Sequence, residues 1–546
     1  MESITITLVL LLAVVVSAVV ARALPVGVPV PLVQIALGAL IASVADVGVA
    51  LDPEIFFLLF LPPLLFYDGW RIPKQGLFHD IGTILELALG LVVATVLGIG
   101  LLIHLMIPSM PLGVAFALAA VISPTDPIAV SSIASRVPIP KRLMHILEGE
   151  SLLNDASGLV CMRFAVAAVM TGGFSIVGAL GTFVWLALGG VAVGAGVTWA
   201  VMAAKGWISR RIGEETGTQV LISVLIPFAA YLAAEHLGCS GILAAVAAGI
   251  TMSFFEQTGR ARGATRMQRA AVWEALGFTM NGVVFVLLGE QLPNIVRSAA
   301  DAVRETGHRD PLWIIVYVLA ITLALGVTRY LWAWVSLQFT IYRAGRRGEQ
   351  FRRPSRRLLA AMAFAGARGA ITLAGVLTLP LALPDGSPFP ARDLAICLAA
   401  GVIIVSLVAA SIALPRLLHG LDLPPEPSRR REEDLARVAA AQAAIRAIEQ
   451  AQHELAEGRR DADLYAEAGT RLMEVYRARI DGRTKTGVEA DNALKTEEII
   501  RDLRLAAIRA ERDELYRLGR TRRLSDEMVR DLVREIDLIE ARDARA

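Results

Sequence analysis

Two polar clusters stand inside long apolar runs of this chain. Ser-Pro-Thr-Asp-Pro occupies 123–127, and Glu-Gly-Glu-Ser-Leu-Leu-Asn-Asp occupies 148–155. Ser151 and Asp155 are four residues apart, so on a helix they share a face; Glu150 and Asn154 form the adjacent stripe. Carboxylate, hydroxyl and amide oxygens suit a hard alkali cation, whereas thiol and imidazole are missing from both clusters. A carboxylate at hydrocarbon depth is costly and calls for a partner or a function. Asp155 can be neutralised there by a proton or by a cation, but not by both at once. One site with two rival ligands, opened in turn to each side of a membrane, is sufficient chemistry for exchange.

The first cluster has a second physical role. Pro124 and Pro127 lack an N–H and clash with the preceding turn, so the pair unwinds its helix. Thr125 and Asp126 sit between them. Asp126 can cap the following half-helix, contact an ion, or do both. A matching interruption is Gly-Ala-Arg-Gly at 366–369. A buried guanidinium needs an acid partner, and for Arg368 the candidates are Glu150, Asp126 and Asp155. Charge bookkeeping favours Glu150, which leaves both aspartates for transport. Arg163, eight residues beyond Asp155, lies about 12 Å further along the helix on nearly the same face. It lines an outer funnel or pairs with an acid near the outer surface. Asp68 reads as an interfacial residue. Glu86, His104, Glu235, Glu290 and Arg329 read as snorkelling or locally paired.

The elements that must position these groups are apolar helices. The chain has 546 residues, is 55% hydrophobic and carries a formal net charge of +2. Its mean hydropathy is +0.58. Apolar runs of roughly 20 residues mark transmembrane helices. About thirteen are expected, at 4–23, 29–46, 53–68, 82–107, 112–135, 144–170, 175–203, 217–236, 239–256, 271–292, 311–341, 357–381 and 390–416. The first reads as a transmembrane helix and not as a signal peptide, because it lacks a basic leader. Alternate loops are rich in Lys and Arg, such as Arg343, Arg346 and Arg347. The opposite set holds only Arg297, Arg304, Arg309 and Arg392. This asymmetry predicts an external N-terminus and a cytoplasmic C-terminus. The breaks at 112–135 and 357–381 lie seven spans apart and so cross in opposite directions. Interrupted helices at matching places in two inverted halves point to a transporter's central site.

Residues 1–416 therefore read as a transmembrane domain, and 417–546 as a charged, helical cytosolic tail, regulatory or dimerising or simply solvated. Helical spacing covers 432–455, 464–480, 497–518 and 526–541. Cys161, Cys239 and Cys397 form no CxxC pair and read as buried free thiols. No Walker loop, zinc spacing or dinucleotide fingerprint is present, so no cofactor and no nucleic-acid partner is expected.

Three stretches make the sequence recognisable. Ser-Pro-Thr-Asp-Pro-Ile-Ala-Val at 123–130, Gly-Glu-Ser-Leu-Leu-Asn-Asp-Ala at 149–156 and Gly-Ala-Arg-Gly-Ala-Ile-Thr at 366–372 resemble the cation:proton antiporters of the NhaP and sodium/proton-exchanger kind. Leu-Pro-Pro-Leu-Leu-Phe at 61–66 also fits. The resemblance covers about 1–416 and is strongest to a bacterial branch with a long cytosolic tail. It implies a thirteen-helix fold of inverted repeats, a homodimer, and a core domain moving against a dimerisation domain. It implies that Asp155 is the essential aspartate, and that Asp126, Thr125, Ser151 and Asn154 are cation ligands. It gives the Glu150–Arg368 pair a stabilising role. An Asn-Asp pair implies electroneutral exchange. Where relatives carry an acid directly after Leu-Leu-Phe, this chain has Tyr67 and then Asp68.

The expectation is an all-α polytopic membrane protein, not an enzyme. It would exchange Na⁺, or K⁺ or Li⁺, for H⁺ across a bacterial inner membrane, in contact with lipid. A K⁺-selective exchanger is the nearest alternative, with a cation channel or sensor behind it. An intramembrane aspartyl protease is disfavoured, because neither Asp126 nor Asp155 sits in a Gly-x-Gly-Asp element and Arg368 has no place in that mechanism.

Overall fold

The computed structural model describes residues 2–24, 28–44, 53–74, 76, 81–126, 141–171, 176–257, 263–305, 312–346, 355–419, 427–456, 462–484, 488–521 and 523–543. Among them the regular structure is helical, with one isolated bridge between Ala382 and Pro388. The chain forms two compact units, Met1–Leu421 and Asp422–Ala546.

The first unit contains α1 (Glu2–Ala23), α2 (Val30–Val44), α3 (Pro53–Arg71), α4 (Ile81–Met106), α5 (Leu112–Ile122), α6 (Lys141–Thr171) and α7 (Ile176–Ile212). It continues with α8 (Thr216–His236), α9 (Gly241–Gln257), α10 (Gly263–Glu305), α11 (Trp313–Arg346), α12 (Arg356–Phe364), α13 (Ala370–Leu377) and α14 (Arg392–Leu418). Every expected apolar segment has a helix within it. By length and composition, eight helices can cross a membrane; Val30–Val44, Leu112–Ile122 and Gly241–Glu256 are shorter apolar helices. Leu8, Leu101 and Leu323 are exposed on the outside of the bundle, as lipid-facing side chains would be.

These helices pack as two groups. One joins α1, α2, α3, α7, α8, α9 and α10; the other joins α4, α5, α6, α11, α12, α13 and α14. In lipid no hydrophobic force drives helices together, so close backbone approach must supply the attraction. Gly38 of α2 shows this: a Cβ there would stand 2.0 Å from the Val286 carbonyl oxygen of α10. Only a hydrogen in that place lets the two helices touch.

Three departures from regular helix stand out. The second half of the expected 112–135 span, with Pro127, lies outside the described residues; α5 ends at Ile122, and 123–126 is non-helical. The 357–381 span is split into α12 and α13 by a non-helical stretch at 366–369. Ser355 caps α12 by accepting the Leu358 N–H at 3.2 Å. A π-helical turn, Glu86–Leu91, interrupts α4. The extra residue in such a turn frees backbone groups; the Ser157 hydroxyl takes one of them, donating to the Ala88 carbonyl at 2.6 Å. Apolar periodicity carries no signal for that turn, and the sequence did not suggest it.

The second unit contains α15 (Pro427–Ala456), α16 (Ala462–Thr484), α17 (Val488–Arg520) and α18 (Asp526–Asp543). These are the helical stretches expected in the tail. Val529 and Val533 of α18 and Ile508 of α17 are buried. Arg512 of α17 holds Glu540 and Asp537 of α18, the latter at 2.8 Å. Hydrogen bonds and charges from these two acids keep the guanidinium protonated beyond its ordinary range.

Candidate cation site at the crossing of two broken helices

The two unwound stretches meet. The Asp126 N–H donates to the Ala367 carbonyl at 2.7 Å, so each break supplies a partner to the other. Freed backbone groups at membrane depth must be satisfied in this way. The Arg368 side chain closes the crossing. Its Nε donates to the Ile122 carbonyl at 2.9 Å, and Nη1 donates to the Gly366 carbonyl. The Arg368 N–H donates to the Ser406 hydroxyl at 3.1 Å. A cation thus stands at the C-terminus of α5, where the helix dipole is negative. The anion is placed reciprocally. Asp126 lies against Gly369, the residue before α13, where the dipole is positive. A Cβ on Gly369 would stand 1.7 Å from Asp126 Oδ2, so the carboxylate reaches this helix end only because residue 369 is glycine.

The second cluster faces this crossing from α6. Glu150, Ser151, Asn154 and Asp155 are all buried. Asn154 donates to the Thr125 hydroxyl at 3.1 Å and ties α6 to the first break. A cavity of about 30 Å³ lies between Thr125, Asp126, Ser151, Asp155, Asp68 and Asn281. A single water needs roughly 10–15 Å³, so the space admits a small ion with little hydration and no organic solute. The charged neighbours of Asp155 are the acids Asp126, Asp68 and Glu150. A buried carboxylate surrounded by carboxylates draws a cation or a proton.

The scaffold differs from expectation in one pairing. Glu150 does not take Arg368. Arg329 of α11 grips it with both arms: Nη1 on Oε1, and Nη2 on Oε2 at 2.7 Å. Arg329 Nε donates to the Met362 carbonyl at 2.9 Å. Both side chains of the pair are almost fully buried. The fork of a guanidinium matches a carboxylate edge to edge, and Arg329 presents that fork. The Arg368 fork is occupied by carbonyl oxygens, and the end of α5 supplies its negative field. A bare buried arginine does need negative charge; here backbone dipoles provide it.

The profile of the sodium/hydrogen exchanger transmembrane family matches residues 9–420. The chain belongs to that family. It is 43% identical to an uncharacterized Na⁺/H⁺ exchanger of Escherichia coli over 539 residues, covering 98% of this chain and 97% of the relative. It is 44% identical over 403 residues to a sodium, potassium, lithium and rubidium/H⁺ antiporter of Bacillus pumilus, covering 72% of this chain and 58% of that one. Its fold is similar to that of the sodium proton antiporter MjNhaP1 from Methanocaldococcus jannaschii, with a TM-score of 0.60 at 19% identity, over 77% of this chain and 99% of the other.

In this exchanger, the structure brings Thr125, Asp126, Ser151 and Asp155 to one cavity. Asn154 stands beside them through Thr125. Asp68, read from sequence as interfacial, is exposed and yet lines the same cavity, at the end of α3. Asn281 of α10 went unnoticed in the sequence, being one amide in a long helix; it also lines the cavity and donates to the Gly277 carbonyl at 2.9 Å. Arg329, read from sequence as snorkelling or locally paired, instead holds Glu150 from 179 residues away. Its position midway along an apolar run, as an unpaired charge, was the available signal. Arg163 pairs with Glu235 at 3.0 Å, the second of its two alternatives. Cys161, Cys239 and Cys397 are free.

Proposed function

We propose that this exchanger moves Na⁺ against H⁺, one for one, by alternating access, with Asp155 as the site that both ions share. Asp126, Thr125, Ser151 and Asn154 supply the remaining oxygens, while Glu150, Arg329 and Arg368 hold the crossing rigid. The observation that carries this reading is the small cavity at the crossing, with Asp155 buried on one wall and acids as its charged neighbours. A cation entering it meets carboxylate and hydroxyl oxygens already in place, and a proton on Asp155 removes the charge that holds the cation. The helix group of α4, α5, α6 and α11 to α14 carries these ligands and moves against the other group. K⁺ and Li⁺ are further candidates, in line with the ions named for the Bacillus relative. Movement of one H⁺ inward for each Na⁺ outward makes the cycle electroneutral. We place the protein in a bacterial inner membrane as a homodimer, N-terminus outside and tail in the cytosol.

The test is reconstitution in proteoliposomes with a pH-sensitive dye inside. Wild type is expected to move protons when Na⁺ is added, at the same rate with and without valinomycin. Asp155→Asn is expected to lose at least about 100-fold of that rate. Exchange at the wild-type rate in the variant would refute the assignment. Cation flux with no opposing proton movement would favour a channel.

A further inference from the structure

The helix that carries Ser151 and Asp155 is tied at its far end to the other helix group. Arg163 of α6 donates from Nη2 to Glu235 Oε1 of α8 at 3.0 Å. The same oxygen accepts the Gly241 N–H at the start of α9, at 3.3 Å. One carboxylate therefore joins α6 to both α8 and α9. The side chains of the ion pair are 39% and 34% exposed.

This tie lies on the opposite side of the cavity from Asp68. Gly76, just beyond α3, packs against His145 near the start of α6: a Cβ there would be 3.0 Å from the imidazole Nδ1. Asp68, at the end of α3, is therefore on the side of the membrane where α6 begins. Arg163 is eighteen residues after His145, about 27 Å further along the helix. Asp68, exposed, lines the cavity on that side, while the Arg163–Glu235 pair joins the two groups at the other face.

We infer that Arg163 and Glu235 are positioning residues for the exchange, forming a latch that holds α6 against α8 and α9 while the cavity faces Asp68, and that must part when the site turns to the other side. This rests on the alternating-access reading above. Coulomb attraction in a half-exposed pair is modest, which suits a contact broken in every cycle. A pair like Glu150–Arg329, fully buried, would be too costly to separate. The latch thus biases the two access states without stopping the transition between them.

The test uses the full chain in oriented proteoliposomes, with Na⁺ half-saturation measured separately from each face. Glu235→Gln keeps the side-chain shape and the Gly241 contact but removes the charge. It is expected to lower the half-saturating Na⁺ concentration at the latch face and to raise it at the Asp68 face, the two fold-changes together multiplying to about three- to five-fold. The maximal rate should stay within about two-fold. Reversing the pair, Arg163→Glu with Glu235→Arg, should restore both values. Equal changes at the two faces, or none, would overturn the latch. A second readout is independent of transport: backbone hydrogen exchange over 156–171 should be faster in Glu235→Gln and slow again in the reversed pair. Unchanged exchange there would also overturn it. A wild-type chain with no Na⁺-driven proton movement would instead count against antiport, and the hydrogen-exchange result would still decide whether the latch exists.

Discussion

Glu150 and Asp155 lie five residues apart on α6, both buried, and their surroundings are opposite in kind. Glu150 is matched on both oxygens by the Arg329 fork. Asp155 has carboxylates as charged neighbours and lines a cavity of ionic size. The first acid has its counter-charge bound covalently into the fold, so it acts as a strut. The second must receive its counter-charge from solution, so it can serve as a carrier. In the proposed function, one helix thus places a fixed charge pair beside a site whose occupant changes, and the rigidity of the first keeps the geometry of the second.

The largest expected effect comes from breaking the strut. Arg329→Met leaves Glu150 buried without its partner and is expected to cost about 3–5 kcal/mol, read as a fall in melting temperature in detergent. Adding Glu150→Gln should recover most of that loss, because the stranded charge is gone. Equal stability of the single variant and wild type would erase the contrast between the two acids. The next effect is smaller and falls on the crossing. Gly369→Ala sets a methyl group where Asp126 Oδ2 now lies. Overpacking of this kind costs about 1–3 kcal/mol, and exchange should fall about ten-fold or more as the carboxylate is displaced from the end of α13. Smallest is Asp68→Asn. Asp68 is exposed, so stability should be unchanged, while Na⁺ half-saturation measured from its own face should rise about two- to five-fold as one acid is removed from the mouth. A loss of stability there would mean that Asp68 belongs to the scaffold and not to the path.

How much of this was legible in the sequence depends on the range of the interaction. The helices follow from apolar runs, and the breaks at 123–126 and 366–369 follow from proline and glycine chemistry within a few residues. Ser151 and Asp155 share a face because of helical spacing alone. Partner choice was not legible in the same way. Glu150 and Arg329 are 179 residues apart, and no local rule distinguishes Arg329 from Arg368 as its mate. Only packing shows that α11 presents a fork to α6 while Arg368 is turned to carbonyls. The π-helical turn in α4 was hidden for a related reason: it is stabilised by Ser157 from another helix, and its own residues, Glu86–Leu91, read as ordinary helix. Asp68 is exposed at the end of α3, as read, and also lines the cavity, which is invisible in sequence because interfacial depth and cavity access look alike in one dimension.

The shared site is tested most directly by proton release on cation binding. Purified protein is held in weak buffer, NaCl is added, and the protons set free are measured with the bound Na⁺ at several pH values. If Asp155 holds either ion, each Na⁺ bound in the acidic range releases close to one proton. The half-saturating Na⁺ concentration then rises about ten-fold for each unit that the pH falls. Asp155→Asn should abolish both responses. Sodium binding that releases no proton and is unchanged from pH to pH would contradict the account.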